Sequence, residues 1–285
     1  MIKYILPLIV FLVFNSCNKA KLKSPEAAFI VINNPTVLTN PTIQGANSHK
    51  ITDIWYYVDD NFKGVFPIGS IMPVLGTGNS KITLFAGIKN NGISSTRLPY
   101  EFYQGHVINQ YFESGKTYTF SPVFEYLTSA VFPTEVIEDF DIIIGTGSKY
   151  ITLSDNPFYI ISDANKVYGG VGNSLFFTMS DAKPIGGIKT STALNLPVGG
   201  APIYLELNYK CNQPFEVGVI AGTTEVRPAL TINASPEWNK IYVQLSLAVS
   251  TQPTYNYYDI YIKATKQGDV PTPEIYIDNI KLVTR

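Results

Sequence analysis

The chain has 285 residues, 45% of them apolar and 15% charged, with 21 Lys and Arg against 22 Asp and Glu. That is a folding composition, long enough for one large β domain or, the better reading, two smaller ones. A net charge of −1, with no long run of Lys or Arg, excludes nucleic acid as a partner.

Met1–Ser16 carries one cation, Lys3, then the apolar run Ile5–Phe14, then Asn15-Ser16-Cys17, the three-part order of an export signal. The run is about half of the ~20 residues that span a bilayer, and Pro7 interrupts it, so cleavage is expected and not a retained helix. A small residue directly before a cysteine resembles the lipobox of bacterial lipoproteins, with Phe14 where Leu is usual. The resemblance implies a covalent lipid on Cys17 and a membrane anchor. Residues 17–27, with Lys19, Lys21 and Lys23, read as the lipidated cysteine and a polar tether. Cys211 is then the remaining thiol, expected to be buried in a strand and inert.

From residue 28 to 133 strand runs alternate with turn clusters. The runs are Ala28–Ile32, Ile51–Val58, Phe62–Phe66, Lys81–Gly87 and Thr117–Phe124, and the spacing suits a small β-sandwich. In Ile51–Val58 both faces are apolar, which predicts a central strand or one covered from outside, for instance by a second module. Pro133 and the acidic Glu138-Asp139 mark a boundary near Thr134. Residues 134–285 form a larger β unit with runs at Tyr150–Leu153, Ser174–Ser180, Ile203–Lys210, Phe215–Ile220, Ile241–Val249, Tyr257–Lys263 and Glu274–Val283. In Ile241–Val249, Ile241, Val243, Leu245, Leu247 and Val249 share one expected inner face. The expected fold class is all-β, a small N-terminal sandwich followed by a larger C-terminal one.

Glu138-Asp139-Phe140, Glu237–Val243 and Ile275–Val283 resemble the opening, the Trp-led long strand and the closing strand of galactose-binding-like jelly rolls, a group that includes many carbohydrate-binding modules. The first half resembles an immunoglobulin-like or transthyretin-like module. Its stretch Ile54–Asp60, Gly87–Ile93 and Tyr100–Tyr103 resembles a family of uncharacterised outer-membrane lipoproteins of Bacteroidota. These resemblances imply an outer-membrane lipoprotein and leave open whether it sits on the surface or the periplasmic leaflet. By the jelly-roll resemblance Glu138 and Asp278 are expected to hold a structural calcium ion. The other reading of the same residues is that Glu138 is solvated and Asp278 bonds neighbouring backbone.

Both histidines, His49 and His106, lie in the first unit without a motif, and no nucleophile elbow, phosphate-cradling loop or dinucleotide fingerprint is present. The expectation is a binding protein that is not an enzyme and takes no nucleotide. Strand parity supplies a ligand face. With Ile203, Leu205 and Leu207 inward, Tyr204, Glu206 and Asn208 point out; so do Tyr242 and Gln244 opposite Val243, and Tyr261 opposite Ile260. Aromatic rings beside amides and a carboxylate suit a glycan. Outward tyrosines suit a protein interface equally well, so an accessory subunit of an outer-membrane protein assembly is the alternative. Trp238, leading its strand, is expected in the core.

Overall fold

The computed structural model describes residues 26–75, 78–141, 149–268 and 270–285. The expected export signal, Cys17 and all of the tether except Glu26 and Ala27 lie outside the described residues. Among those described, no helix is long and apolar enough to cross a membrane.

The N-terminal unit consists of β1 (Ala28–Ile32), β2 (Thr36–Leu38), α1 (Pro41–Gln44), β3 (Asp53–Val58), β4 (Asn61–Pro67), β5 (Ile71–Val74), β6 (Gly78–Lys89), β7 (Arg97–Pro99), β8 (His106–Phe112), β9 (Thr117–Phe120) and β10 (Val123–Glu125). Pro122 splits the expected run Thr117–Phe124 into β9 and β10, because a ring nitrogen has no hydrogen to give the ladder. The main sheet runs β4-β3-β6, and β7 and β8 share the far edge of β6. The smaller sheet runs β5-β1-β9. On β3, Ile54, Tyr56 and Val58 enter the core with Ile82, Leu84 and Ala86 of β6, as the period of two requires.

The C-terminal unit consists of β11 (Tyr150–Thr152), β12 (Phe158–Ile161), a single 3-10 turn at Tyr168–Gly170, β13 (Ser174–Thr178), β14 (Ile185–Thr190), β15 (Ile203–Cys211), β16 (Phe215–Ala221), β17 (Glu225–Ile232), β18 (Ser235–Gln244), α2 (Ser246–Ser250), β19 (Tyr258–Thr265) and β20 (Glu274–Thr284). Two five-stranded antiparallel sheets, ordered β11-β14-β19-β16-β17 and β12-β13-β20-β15-β18, pack face to face. The protein is therefore all-β, and its larger half is a β-sandwich.

Two expectations are corrected here. The run Ile241–Val249 does not continue as a strand: β18 stops at Gln244 and the chain turns into α2, leaving Leu247 80% exposed. The buried Arg227 guanidinium donates to the carbonyls of Ala248, Thr251 and Pro253, which satisfies the turned backbone where a ladder would otherwise have run. Trp238 is not in the core either. It sits on the outer face of β18, half-buried, with its ring 5.5 Å from that of Tyr168.

The two units share a core. Tyr204, Tyr242 and Val283, from the outer face of the second sandwich, belong to the hydrophobic cluster of the first. Backbone bridges Asn90 to Tyr242, Val131 to Thr284 and Glu138 to Ile280 stitch the surrounding chain together.

Candidate functional site

Five of the six expected ligand residues, Tyr204, Glu206, Asn208, Tyr242 and Gln244, have the predicted parity and share the outer face of one sheet. Solvent does not reach the face there. Tyr204 and Glu206 are 0% exposed and Asn208 and Tyr242 2%, because the N-terminal unit covers this half of the sheet with Tyr100, Phe102 and Tyr126. Gln244 is tied to the same neighbour: its backbone N–H donates to Asn91 and its side chain accepts from Asn90. The sixth residue, Tyr261, lies on the opposite sheet. Its ring is buried across Gly218 of the adjacent strand and its hydroxyl donates to Glu216 at 2.7 Å. The six residues thus do not make one open face. A sandwich has two outer faces, and a module boundary can close either.

Under the N-terminal unit lies a polar centre. Glu206 Oε1 accepts from the hydroxyls of Tyr100 and Tyr126, both at 2.8 Å, and Oε2 lies 3.1 Å from Lys240 Nζ. Burial alone would push the Glu206 carboxyl up; Lys240, Lys281 and the two tyrosines together hold it below its ordinary value. Burial pushes Lys281 down to about 7, although Glu206 opposes the shift. Ser48 donates to Asn208 at 2.7 Å, which brings the N-terminal loop carrying Ser48, His49 and Lys50 onto the same sheet.

Glu138 Oε1 accepts from the backbone of Phe140 at 3.0 Å. Asp278 accepts from the hydroxyl of Ser174 at 2.5 Å and from the backbone of Asn279 at 2.6 Å. Among the described residues, no group of three or more His, Cys, Asp or Glu side chains could hold a metal ion. Cys211 is buried, and burial pushes its thiol up, away from the reactive thiolate.

The uncovered half of the same outer face carries the residues that the parity argument missed. Tyr159 on β12, Phe176 on β13, Tyr276 on β20 and Lys210 on β15 are successive cross-strand partners. Phe176 and Tyr276 have ring centroids 4.9 Å apart at 29°, and Tyr159 and Phe176 6.4 Å apart at 31°. The result is a row of rings of graded exposure: Tyr276 is buried at 3%, Phe176 is half-buried, and Tyr159, at 51%, is the ring open to solvent. Trp238 and Tyr168 stand beyond Lys210, and a Gly-rich turn bearing Gly169 and Gly170 carries Tyr168 over the sheet. The signal was available: Phe176 and Tyr276 alternate with the core residues Leu175, Phe177, Ile275 and Ile277. Of the strands that carry the terrace, β12, short and following Asn156-Pro157, is the one that gave no strand pattern.

A second apolar surface lies on the outside of the N-terminal main sheet. Phe62, Tyr57 and Thr83 form one cross-strand row, and Val65, Trp55 and Phe85 another. The Phe62 ring is 5.6 Å from that of Trp55 and 5.2 Å from that of Tyr57. Phe62, Val65 and Val107 are 37–51% exposed. The apolar outer face expected for Ile51–Val58 is thus present, but the C-terminal unit covers a different surface.

No family model and no curated protein matches the chain. Among solved structures, an arabinose-bound family 51 α-L-arabinofuranosidase is similar at 13% identity and a TM-score of 0.40, over 52% of this chain and 26% of that one. The chain thus spans about a quarter of that enzyme. A variant of a family 29 carbohydrate-binding module matches at 13% identity and a TM-score of 0.37, over 54% of this chain and 92% of the module. A family 61 module in complex with β-1,4-galactotriose matches at 12% identity and a TM-score of 0.34, over 48% of this chain and 90% of the module.

Proposed function

We propose that the protein is a non-catalytic outer-membrane lipoprotein, anchored through Cys17, that binds glycan on the C-terminal sandwich. The observation that carries this reading is the pair of rings Tyr159 and Phe176, backed by the buried Tyr276 and continued by Lys210 and Trp238, on the half of the sheet that the N-terminal unit leaves open. A sugar packs its C–H face on a ring and needs polar groups beside it for its hydroxyls. Lys210 and Tyr168 supply such groups along the terrace. The non-catalytic part of the reading is supported by the buried carboxylates. Asp53 is held by Arg97 and Thr52, Glu206 by two tyrosines and Asp278 by Ser174 and backbone, so each has a structural partner.

A glycan array with the soluble fragment beginning at Glu26 tests the reading, followed by calorimetry on Tyr159→Ala and Phe176→Ala. Each substitution is expected to weaken binding by about 1–3 kcal/mol while the fold survives. Retained affinity in both variants would move the site elsewhere.

A second reading, an accessory subunit docking on an outer-membrane protein, draws on the apolar outer face of β3, β4 and β6. Pull-down from solubilised membranes with wild type and Phe62→Ser separates the two: a partner lost in the variant favours docking.

A further inference from the structure

At the Trp238 end of the terrace the charges do not balance. Four lysines gather where the two units meet. Lys240 Nζ reaches Glu206 and donates to Ser48 Oγ at 3.2 Å. Lys281 donates to the carbonyl of Ala46 and stands 5.4 Å from the Tyr126 ring. Lys50 is exposed and donates to Asn239 Oδ1. Burial and the charge of Lys89 both push its amine down. Among the described residues, Glu206 is the one carboxylate that pairs with any of these four. Asp278, the other carboxylate near Lys240, is engaged by Ser174 and Asn279. Glu237, beside Trp238, has the opposite parity on β18.

Two nitrogens here, Trp238 Nε1 and His49 Nδ1, are also buried without a hydrogen-bond partner, as is the acceptor Glu206 Oε2 that faces Lys240. Both nitrogens neighbour Lys240, Trp238 from two residues earlier on the same strand face and His49 through the field of that lysine. Unpaired buried polar atoms are rare enough to call for an explanation. An indole N–H can only donate. Glu206 Oε2 faces Lys240 at 3.1 Å, which leaves Lys50, Lys89 and Lys281 without a carboxylate partner among the described residues.

We propose that this corner is the subsite for an anionic sugar residue, a uronate or a sulfated sugar, held by Lys50 with Trp238 beside it and Lys240 behind. The inference rests on the glycan reading and deepens it, because it makes the N-terminal unit part of the site through Ser48–Lys50. A carboxylate or sulfate accepts charge-assisted hydrogen bonds that a neutral hydroxyl cannot match. In a partly desolvated corner that difference is larger than in water.

Calorimetry on the soluble fragment at low salt compares trigalacturonate, its carboxyl-reduced counterpart and a sulfated disaccharide. The uronate or the sulfated sugar is expected to bind about tenfold more tightly than the neutral trisaccharide, with the advantage falling as salt rises. Whichever of the two is preferred identifies the acid group. In Lys50→Met, whose side chain is exposed, the ratio is expected to fall towards one. Equal affinity for charged and neutral sugars, or an unchanged ratio in Lys50→Met, overturns the inference and leaves the glycan reading standing. Failure to bind any saccharide on the array overturns the glycan reading itself.

Discussion

At the scale of single residues, Glu206 governs the junction between the two units. It is the acceptor for two tyrosine hydroxyls and the counter-charge for Lys240, all without solvent. Removing one partner of a buried pair leaves an uncompensated charge, which costs about 3–5 kcal/mol. Glu206→Ala is expected to lower stability by that amount in urea denaturation. Lys281 gives a second, pH-dependent signature. Its folded pKa of about 7 lies below the ordinary lysine value of 10.5. Between those limits the unfolded chain binds more protons than the folded one, so stability rises with pH from about 7 to 10. Above about 10 the trend reverses, because Tyr100 and Tyr126 are pushed up by burial and keep protons that the unfolded chain loses. Comparing Lys281→Met with wild type reads this contribution: the variant should show a smaller rise between pH 7 and 10, the remainder coming from Lys240, which burial also pushes down.

At the scale of elements, the sequence was legible wherever alternation was clean. β1 matches its expected span, and β15, β16 and β20 differ from theirs by a residue or so. β14 and β17 gave no signal. β14 contains Gly186-Gly187 and β17 contains Pro228, residues that ordinarily argue against a strand interior. The structure shows what Gly187 is for. Its φ is +153° and a Cβ there would lie 2.3 Å from the carbonyl oxygen of Ile262, so the close approach of β19 leaves no room for a side chain. Gly187→Ala is expected to cost about 1–3 kcal/mol by overpacking, seen as a lowered thermal midpoint. For the candidate site, parity placed Tyr204, Glu206 and Tyr242 on the right face. What parity cannot encode is which half of that face another unit covers, since the burial arises from Tyr100 and Tyr126, about 80 to 140 residues away in the chain.

At the scale of the whole molecule, the shared core argues that the two sandwiches unfold together. The N-terminal cluster is incomplete without Tyr204, Tyr242 and Val283, and Tyr242 also takes a hydrogen bond from the backbone of Lys50 at 3.0 Å. The same weld fixes where a bound glycan would sit. Glu26 is held by Ser114 beside the Gly78 end of β6, whereas Asn91 meets Tyr242 just past its Lys89 end. Twelve residues of strand separate those points, roughly 36 Å at strand rise. If Cys17 carries lipid, the N-terminal sandwich then works as a rigid spacer, which requires that it not hinge on its partner. Calorimetry of the soluble fragment should accordingly give one cooperative transition. Tyr242→Ala, which empties a site at the junction and costs about 3–5 kcal/mol, should move that transition as a whole. Two separate transitions in wild type, with only one shifted in the variant, would mean that the sandwiches are independent and the spacer role would fall.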